Sequence, residues 1–517
     1  MKLKCRILPI IVERPSVVLN QTDAMEFGLM GGDRVKITKN GKSLVAHVQI
    51  ACGDVLRGQE ACFTLIPDGM VGIYSNLAED LAITDGDEVT IHPISRPLSV
   101  EYIRKKLNRE KLSREEIYEI IKDIVNNNLS EIELTAFVIA NHLIGMDFDE
   151  IEWMTRAMIE TGETISFEKG IVVDKHSIGG VPGNKVSLLI VPTVAAAGLL
   201  IPKTASRAIT SASGTADTME VLANVNLSVD EIKEITERVG GVIAWGGATN
   251  IAPADDKIIH VEYPLSIDPR PQLLASVMAK KGAVGARHIA MDIPVGRGAK
   301  IENVEEGRKL AGEFVELGRR LNLNVVCAIT NGSQPIGRAV GPAIEAWEAL
   351  KTMETKKGSS SLLEKSFGIA GILFEMVGLT SNGYEMAKSI FMKGKTLEKF
   401  REIVEAQGGK KDISSKDIHL GEEKFVLKSN FEGAVVEVFN ERIVKIARLA
   451  GAPKDKGAGV YIHKKRGEVV RANDPLITIY AEKAWKLDKA IEFAIENPPQ
   501  MVSGMVLEKY PSFREVR

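Results

Sequence analysis

Between Gly170 and about residue 400, short apolar runs alternate with segments of helical length, and this alternation constrains the fold of the 517-residue chain most. The runs are 170–173, 242–244, 289–293 and 325–329. Such a pattern is typical of an α/β sheet with crossover helices. Ligands of these sheets bind beyond the carboxyl ends of the strands. We therefore expect the functional site in the loops after the runs, where glycine and hydroxyl residues collect.

A repeated turn-and-strand pattern occupies the first 93 residues. The segments FGLMGGDRVKI (27–37) and LAITDGDEVTI (81–91) share apolar positions around a Gly-Asp turn that leads into an alternating strand. Two such units predict a small pseudo-symmetric β-barrel, similar to the double-psi barrels at the front of some archaeal proteins. An unrelated β domain with two similar turns is the alternative.

The remaining segments have the sequence patterns of helices, or of helices mixed with strands. Capping-box spacings at 113–116, 130–133 and 149–152 predict a helical bundle over residues 99–165. From about residue 433 a helix is mixed with turn-separated strands. The sequence thus predicts an α/β multi-domain chain with four parts: an N-terminal double-psi-like β-barrel (1–95), a helical domain (96–168), a central α/β sheet domain (169–430) and a C-terminal α+β domain (431–517).

Composition and charge exclude several function classes. The formal net charge is −3 and no run of like charges forms a tail, which argues against a nucleic-acid partner. The N-terminus lacks the pattern of a signal peptide, and the most apolar segment, 186–201, is shorter than the roughly 20 residues of a membrane span. We expect a cytoplasmic protein with no membrane partner and a buried helix over 186–201. Four cysteines without CxxC spacing fit a reducing compartment: Cys5, Cys52, Cys62 and Cys327.

The loop after the first apolar run has the composition of an anion site. Its sequence, VDKHSIGGVPGNK, places Lys175, His176 and Ser177 just ahead of Gly179 and Gly180. Glycine reaches the positive φ angles at which successive backbone N–H groups can surround an anion. Phosphate is therefore the first candidate ligand.

Two further segments carry polar groups suited to a nucleotide. The stretch TASRAITSASGTAD (204–217) combines hydroxyl groups and Arg207 with the start of a helix, which suits phosphate or sugar oxygens. A Ser/Thr-rich loop that caps a helix is the alternative. In the second segment Asp268 lies ahead of a helix on which Ser276 and Lys280 share a face, and Lys300 ends a glycine-rich turn. An Asp before a proline is also a common turn former or N-cap.

These motifs resemble those of the thymidine and pyrimidine-nucleoside phosphorylase family. VDKHSIGG, SRAITSASGTAD, LASVMAKK and DIPVGRGAK occur in the order and spacing seen there, and the resemblance covers residues from about 97 to 500. The chain is most similar to the archaeal AMP phosphorylases within that family, which carry an additional N-terminal domain. The resemblance implies phosphorolysis of AMP, with other nucleoside 5′-monophosphates as further candidates, to free base and ribose 1,5-bisphosphate.

Departures from the pyrimidine enzymes favour the nucleotide substrate. Where those enzymes carry a Tyr-x-x-Arg that holds the pyrimidine ring, this chain has Ile258 and Val261, and Ser211 replaces a histidine of their second motif. Lys185 adds a cation to the phosphate loop, which suits a substrate with an additional phosphate.

The resemblance also implies the roles of individual residues. Asp268 is the implied catalytic residue, a proton donor to the departing base. Orthophosphate, the co-substrate, is implied to bind Lys175, Ser177 and Gly179. The implied substrate-binding residues are Gly180, Ser206, Arg207, Ala208, Ile209, Thr210, Ser211, Thr215, Ser276 and Lys300.

The environment of Asp268 and the cofactor requirement follow from the same reasoning. Desolvation by apolar neighbours such as Leu265 and Ile267 would raise the pKa of Asp268, whereas Arg270 would lower it, and the sequence leaves both effects open. No His/Cys/Asp cluster has the spacing of metal ligands, so we expect no metal and no cofactor. The family resemblance further implies a dimer joined through the helical domain. Because the first 93 residues contain none of the site motifs, we expect the N-terminal domain to supply a second interface, which gives a homo-oligomer, a dimer or larger.

Three other functions remain open from sequence alone. The chain could be a thymidine or pyrimidine-nucleoside phosphorylase. It could be a phosphoribosyltransferase of the anthranilate type, in which Asp255 and Asp256 would bind magnesium and diphosphate. It could also be a non-catalytic nucleotide sensor, against which Asp268 and the complete phosphate loop argue.

Overall fold

The computed structural model describes residues 1–12, 14–51, 65–208, 211–430 and 432–504. The chain forms two compact units, Met1–Thr161 with Pro253–Ser276, and Gly162–Ala252 with Val277–Arg517. Within the described ranges no helix is both long and apolar enough to cross a membrane. The four predicted domain boundaries stay a prediction.

Six strands at the start of the first unit close into a barrel in the order β1-β5-β2-β4-β3-β6. This confirms the predicted N-terminal barrel. The repeat corresponds to two similar strand–helix–strand units, β2-α1-β3 and β5-α2-β6. The bounds are β1 (Lys2–Leu8), β2 (Ser16–Asn20), α1 (Gln21–Glu26), β3 (Arg34–Lys39), β4 (Lys42–Ala51), β5 (Met70–Tyr74), α2 (Ser75–Asp80) and β6 (Glu88–Pro93).

Helices complete the first unit. They are α3 (Ser99–Leu107), α4 (Arg114–Val125), α5 (Glu131–Ile144), α6 (Phe148–Glu160), α10 (Pro253–Leu265) and the first half of α11 (Arg270–Ala283). Capping boxes form at Ser113 and Ser130 as predicted. The third is not at Asp149: Asp147 caps α6 instead, because its backbone is extended whereas Asp149 already lies in the first helical turn.

The second unit is built on parallel strands. Strands β7 (Val173–Ser177), β10 (His288–Val295) and β11 (Asn324–Asn331) pair in the order β11-β10-β7, β8 (Ile201–Ala205) pairs with β9 (Gly241–Trp245), and a bridge between Val172 and Leu200 joins the two groups. Three of the four predicted runs are confirmed closely. Of the first run, only its last residue, Val173, belongs to β7. The Lys175 to Ser177 motif, predicted in a loop after the run, therefore lies within the strand.

The predicted helix over 186–201 extends too far at its end, where Ile201 already belongs to β8. The helix α7 (Ser187–Ala196) is shorter, because Gly198 takes a left-handed φ of 87° and turns the chain into β8. A continuous apolar run does not by itself distinguish a buried helix from a buried strand.

Helices pack around the parallel strands, and a C-terminal α+β region follows. The helices are α7, α8 (Thr215–Glu220), α9 (Val229–Val239), α12 (Val304–Arg320), α13 (Pro342–Thr355), α14 (Ser360–Met376), α15 (Gly383–Met392) and α16 (Lys395–Ala406). The C-terminal sheets have the orders β12-β15-β17-β13 and β16-β14-β18. Their elements are β12 (Ala339–Val340), β13 (Glu423–Lys428), β14 (Gly433–Val438), α17 (Asn440–Leu449), β15 (Gly459–Ile462), β16 (Val469–Val470), β17 (Pro475–Ala481), α18 (Ala484–Glu496) and β18 (Gln500–Ser503).

Candidate functional site

Strand β7 brings charged side chains into the interior of the second unit. Asp174 and Lys175 are 0% and 3% exposed. Because successive side chains of a strand point to opposite faces, the two residues belong to different faces of the sheet. Each face carries its own group of ionic side chains.

One face holds Lys175 beside an ion pair from neighbouring elements. Lys365 on α14 lies 2.7 Å from Asp292 on β10, and Thr330 donates a 2.6 Å hydrogen bond to the same carboxylate. Burial lowers the pKa of Lys175 to about 8, while Asp292 acts in the opposite direction. Asp292, whose ion pair is with Lys365, therefore raises the pKa of Lys175 without overcoming the effect of burial.

The other face holds a second lysine pair. Lys281 on α11 forms a buried ion pair with Asp174, and Lys203 on β8 donates to the Thr204 carbonyl. Burial lowers the pKa of Lys203 well below its usual value, and Lys281 lowers it further. Desolvation, then Lys281 and Lys203, also lower the pKa of His176, so its ring is neutral at neutral pH.

The two groups together contain more lysine side chains than carboxylates. Four lysines, namely Lys175, Lys203, Lys281 and Lys365, face the two carboxylates of Asp174 and Asp292. Burying charge without a counterion is costly. An anion at the end of β7 would supply the missing negative charge.

The glycine loop after β7 leaves hydrogen-bond donors for such an anion. The Oγ atoms of Ser177 and of Ser187, the first residue of α7, are both buried and have no hydrogen-bond partner among the described residues. Gly179 and Gly180 have φ of 82° and 86° as predicted. A Cβ at Gly180 would lie 2.4 Å from the Lys300 backbone nitrogen, so only glycine lets these two predicted residues meet.

Lys185 has a structural position rather than the substrate-facing one suggested by its charge. Its side chain is 0% exposed, and its Nζ lies 2.8 Å from Glu348. The same ammonium donates 3.0 Å hydrogen bonds to the carbonyl oxygens of Gly183 and Ile336. All three contacts are inside the protein, so Lys185 joins the phosphate loop to the segment after β11 and does not reach a substrate phosphate.

The second predicted loop is closed by its own side chains. Arg207 pairs with Glu220 at 2.5 Å and stacks over the Trp245 ring, 4.5 Å from its centroid. Asp217 accepts hydrogen bonds from the backbone N–H groups of Ala208 (2.6 Å) and Gly214 (2.9 Å). The Arg207 guanidinium and these two amides therefore bind carboxylates of the protein itself, whereas the sequence predicted that they bind an anionic ligand.

The remaining predicted residues of this loop are placed as follows. Ser206 is exposed, and Ser211 and Thr215 are half-buried. Thr215 is the first residue of α8. Ile209 and Thr210 lie outside the described residues.

Asp268 and Ser276 belong to the first compact unit, whereas the residues above belong to the second. Asp268 lies between α10 and α11 and is exposed, as are Pro264 and Leu265, whereas Ile267 is half-buried and Pro269 is buried.

Helix α10 also shows what replaces the pyrimidine-binding pair. Ile258 and Val261 are 1% and 7% exposed, so both are core residues of this unit. Asp255 is buried whereas Asp256 is exposed, so the two carboxylates do not form a joint cation site. In the described ranges no three His, Cys, Asp or Glu side chains could together hold a metal ion.

The sequence reasoning missed several groups of this site. Lys203, Lys281, Lys365, Asp292 and Ser187 were not singled out. A signal existed for two of them: Lys203 and Asp292 are charged residues inside otherwise apolar strands, IPKTA and HIAMDIPV. A charge in a buried strand requires a partner or a ligand.

The chain matches three sequence families along its length. The matches are the helical bundle domain of a glycosyl transferase family (residues 100–162), the α/β domain of a glycosyl transferase family (169–397) and the pyrimidine nucleoside phosphorylase C-terminal domain (434–498). The lysine groups on β7, β8, β10, α11 and α14 all fall within the second match.

Individual proteins match over nearly the full chain. A protein of Archaeoglobus fulgidus named AMP phosphorylase 1 is 68% identical over 497 residues, covering 96% of this chain and 96% of that protein. AMP phosphorylase 2 of the same organism is 58% identical over 99% of both chains, and the AMP phosphorylase of Methanococcoides burtonii is 52% identical over 100% of both. The solved anthranilate phosphoribosyltransferase of Thermus thermophilus is 19% identical with a TM-score of 0.49 over 59% of this chain and 99% of that one, a likeness too weak to favour its activity.

Proposed function

This chain belongs to the AMP phosphorylase family, and on that premise we propose how its residues divide the phosphorolysis of AMP between them. The enzyme is a pentosyltransferase: it transfers the 5-phosphoribosyl group of AMP from adenine to orthophosphate, which gives adenine and ribose 1,5-bisphosphate. The relatives favour neither a pyrimidine-nucleoside phosphorylase nor a phosphoribosyltransferase.

Orthophosphate binds at the carboxyl end of β7, in contact with Lys175, Ser177 and the amide of Gly179. The observation that carries this assignment is the excess of buried lysines over carboxylates beside two buried serine hydroxyls that have no partner among the described residues. Ser187 joins the site as a second hydroxyl donor. Positioning and charge neutralisation bring the phosphate oxygen to C1 of the ribose, where the new C–O bond forms as the C1–N bond breaks.

The nucleotide binds the loops that surround this anion. The backbones of Gly180 and Lys300 lie against each other, which supports the proposal that both residues line one nucleotide pocket. Arg207 acts by holding the loop through Glu220 rather than by contacting a phosphate, a role that its ion pair supports. The full proposed set is Gly180, Ser206, Arg207, Ala208, Ile209, Thr210, Ser211, Thr215, Ser276 and Lys300.

Asp268 donates a proton to a ring nitrogen of the departing adenine. An adenine anion is a poor leaving group, so a positioned acid contributes on the order of 10² to 10⁴ in rate. This role rests on the family motif.

The N-terminal barrel organises assembly. We infer that it is of the double-psi type, a proposal supported by its two strand–helix–strand repeats and by its parallel pairs β1-β5 and β2-β4. The proposed catalytic residues all follow residue 170, which leaves the barrel surface for contacts between subunits of a homo-oligomer.

The decisive assay measures adenine release from AMP as a function of orthophosphate and compares AMP with thymidine and uridine. Phosphate-dependent release from AMP, faster than from either nucleoside, is expected. Faster cleavage of thymidine or uridine would contradict the assigned substrate. Repeating the assay in EDTA tests the prediction that neither a metal nor another cofactor is needed, and a loss of activity that Mg²⁺ restores would contradict it.

A further inference from the structure

A cavity on the second compact unit lies outside the proposed catalytic residues. Its volume is about 580 Å³, within the range of small-molecule sites. It lies where the segment after β11, the helix α13, the start of α14 and the segment after β15 come together. Its described lining residues do not include the phosphate loop, the Ser/Thr-rich loop or the turn that carries Lys300.

The cavity is lined by more cations than carboxylates. Five basic side chains line it: Arg338, Lys351, Lys357, Lys465 and Arg466. Among the described lining residues, the acidic ones are Glu348 and Glu468. This local excess of positive charge stands out in a chain whose formal net charge is −3. A concave surface lined by one sign of charge concentrates ions of the opposite sign.

Both carboxylates are already committed to other partners. Glu348 lies 2.8 Å from Lys185 and accepts hydrogen bonds from the backbone N–H groups of Arg338 (2.8 Å) and Ala339 (2.9 Å). Glu468 pairs with the Arg338 guanidinium and accepts a 2.8 Å hydrogen bond from the backbone of Lys465. Neither carboxylate is left to neutralise the other cations.

Three of the cations therefore face the cavity without a counterion. Lys351, Lys357 and Arg466 are exposed and form no ion pair within the part of the chain that the structure describes. Lys465 is 6% exposed, and burial lowers its pKa to about 8, with Lys185 adding to the effect. An anion in the cavity would relieve this concentration of positive charge.

Neutral groups on the wall suit a phosphate ester. The hydroxyl side chains of residues 359–361 line one side of the cavity, at the start of the 17-residue helix α14. Trp347 and Tyr461 line another side, with ring centroids 6.0 Å apart and planes at 77°. Hydroxyl donors suit phosphate oxygens, and aromatic rings supply apolar surface for a sugar or a base.

We propose that this cavity is a second anion site, which binds a phosphate group carried by a small molecule and is separate from the substrate site. The segment 335–339 contributes Arg338 to the cavity wall, and its Pro335 and Gly337 carbonyl oxygens accept hydrogen bonds from the lining residue Lys465. The same segment receives the Lys185 ammonium from the phosphate loop. An occupant of the cavity therefore contacts a segment that also supports the catalytic anion site.

Isothermal titration calorimetry of the full chain tests the proposal. AMP, ribose 5-phosphate and orthophosphate are titrated separately, AMP in the absence of phosphate so that it is not consumed. The wild-type protein is expected to bind two equivalents per chain of at least one probe. In the double variant K351E/K357E the second equivalent should weaken by about tenfold or more, because two attractive charges become repulsive.

Matched variants separate the cavity from general charge effects. K309E/K393E changes the same number of exposed lysines, on α12 and after α15, and should retain both equivalents. R466E should repeat the loss from a third position. Binding of orthophosphate alone identifies free phosphate as the source of the anion, whereas binding of AMP or ribose 5-phosphate identifies an ester. A single equivalent of every probe in the wild type, or a second equivalent that survives both K351E/K357E and R466E, would overturn the proposal.

Discussion

The depressed pKa of Lys175 makes orthophosphate affinity depend on pH in a defined direction. Burial lowers this pKa from 10.5 to about 8, so the side chain loses its charge within a range in which the enzyme can be assayed. A phosphate dianion binds the ammonium and not the neutral amine. Bound phosphate therefore raises the pKa of Lys175. The affinity for phosphate is highest below pH 8 and is lost as the pH rises through 8.

The size of the effect follows from the same pKa. About nine tenths of Lys175 is charged one pH unit below its pKa and about one tenth is charged one unit above it. The KM for phosphate dianion should therefore rise about tenfold between pH 7 and pH 9. Stability changes in the opposite sense: the unfolded chain binds more protons between pH 8 and 10.5, so Lys175 adds about 3 kcal/mol to the free energy of unfolding across that range.

The assay is the initial rate of adenine formation at saturating AMP, with phosphate varied and its dianion concentration held known at each pH. The matched variant is Lys175→Arg, whose guanidinium stays charged over the whole range and should remove the pH dependence of the phosphate KM. A wild-type KM that is constant from pH 7 to 9 would refute the assignment. An equal rise of the phosphate KM in the Lys175→Arg variant would show that the titrating group is not Lys175.

Four further predictions concern other parts of the chain. Asp268→Asn keeps the shape and removes the acid, so calorimetric AMP binding should persist while turnover falls by about 10² or more; retained turnover would remove Asp268 from its role. Ser187→Ala removes a hydroxyl that has no partner among the described residues, so the KM for phosphate should rise about tenfold or more while the melting temperature stays the same; an unchanged KM would place the anion elsewhere. Lys185→Met leaves Glu348 buried without its cation and should cost about 3–5 kcal/mol in denaturant unfolding; an equal loss in Lys309→Met would show that the effect is not specific to the ion pair. Deletion of residues 1–93 should give a smaller assembly by light scattering, and an unchanged oligomer number would exclude the barrel as the assembly element.

Local sequence patterns predicted much of the fold because the forces behind them act over a few residues. The turn repeats predicted the closed barrel, and the spacings at Ser113 and Ser130 predicted helix N-termini. The pattern overran at 186–201, which was predicted as one buried helix: the helix ends at Ala196, the chain turns at Gly198, and a strand begins at Ile201. Burial on all sides removes the periodicity that separates the two.

The sequence by itself determined the chemical nature of the site. A lysine, a serine and glycines at the end of an apolar run predict an anion loop, because backbone conformation and side-chain donors there are set by neighbouring residues. The family motifs then specified AMP and orthophosphate. Gly180 and Lys300 are far apart in sequence, and only the tertiary structure shows that their backbones are in contact.

Only the tertiary structure decided which charges are available to a ligand. Lys185 and Arg207 read as free cations in the sequence, yet each is neutralised by a glutamate that the fold brings to it, Glu348 and Glu220. Lys203 was not singled out in the sequence, yet the fold buries it beside Lys281 with too few carboxylates. Electrostatic energy depends on distance and burial, which are set by elements far apart in the chain, so no local pattern of residues can fix it.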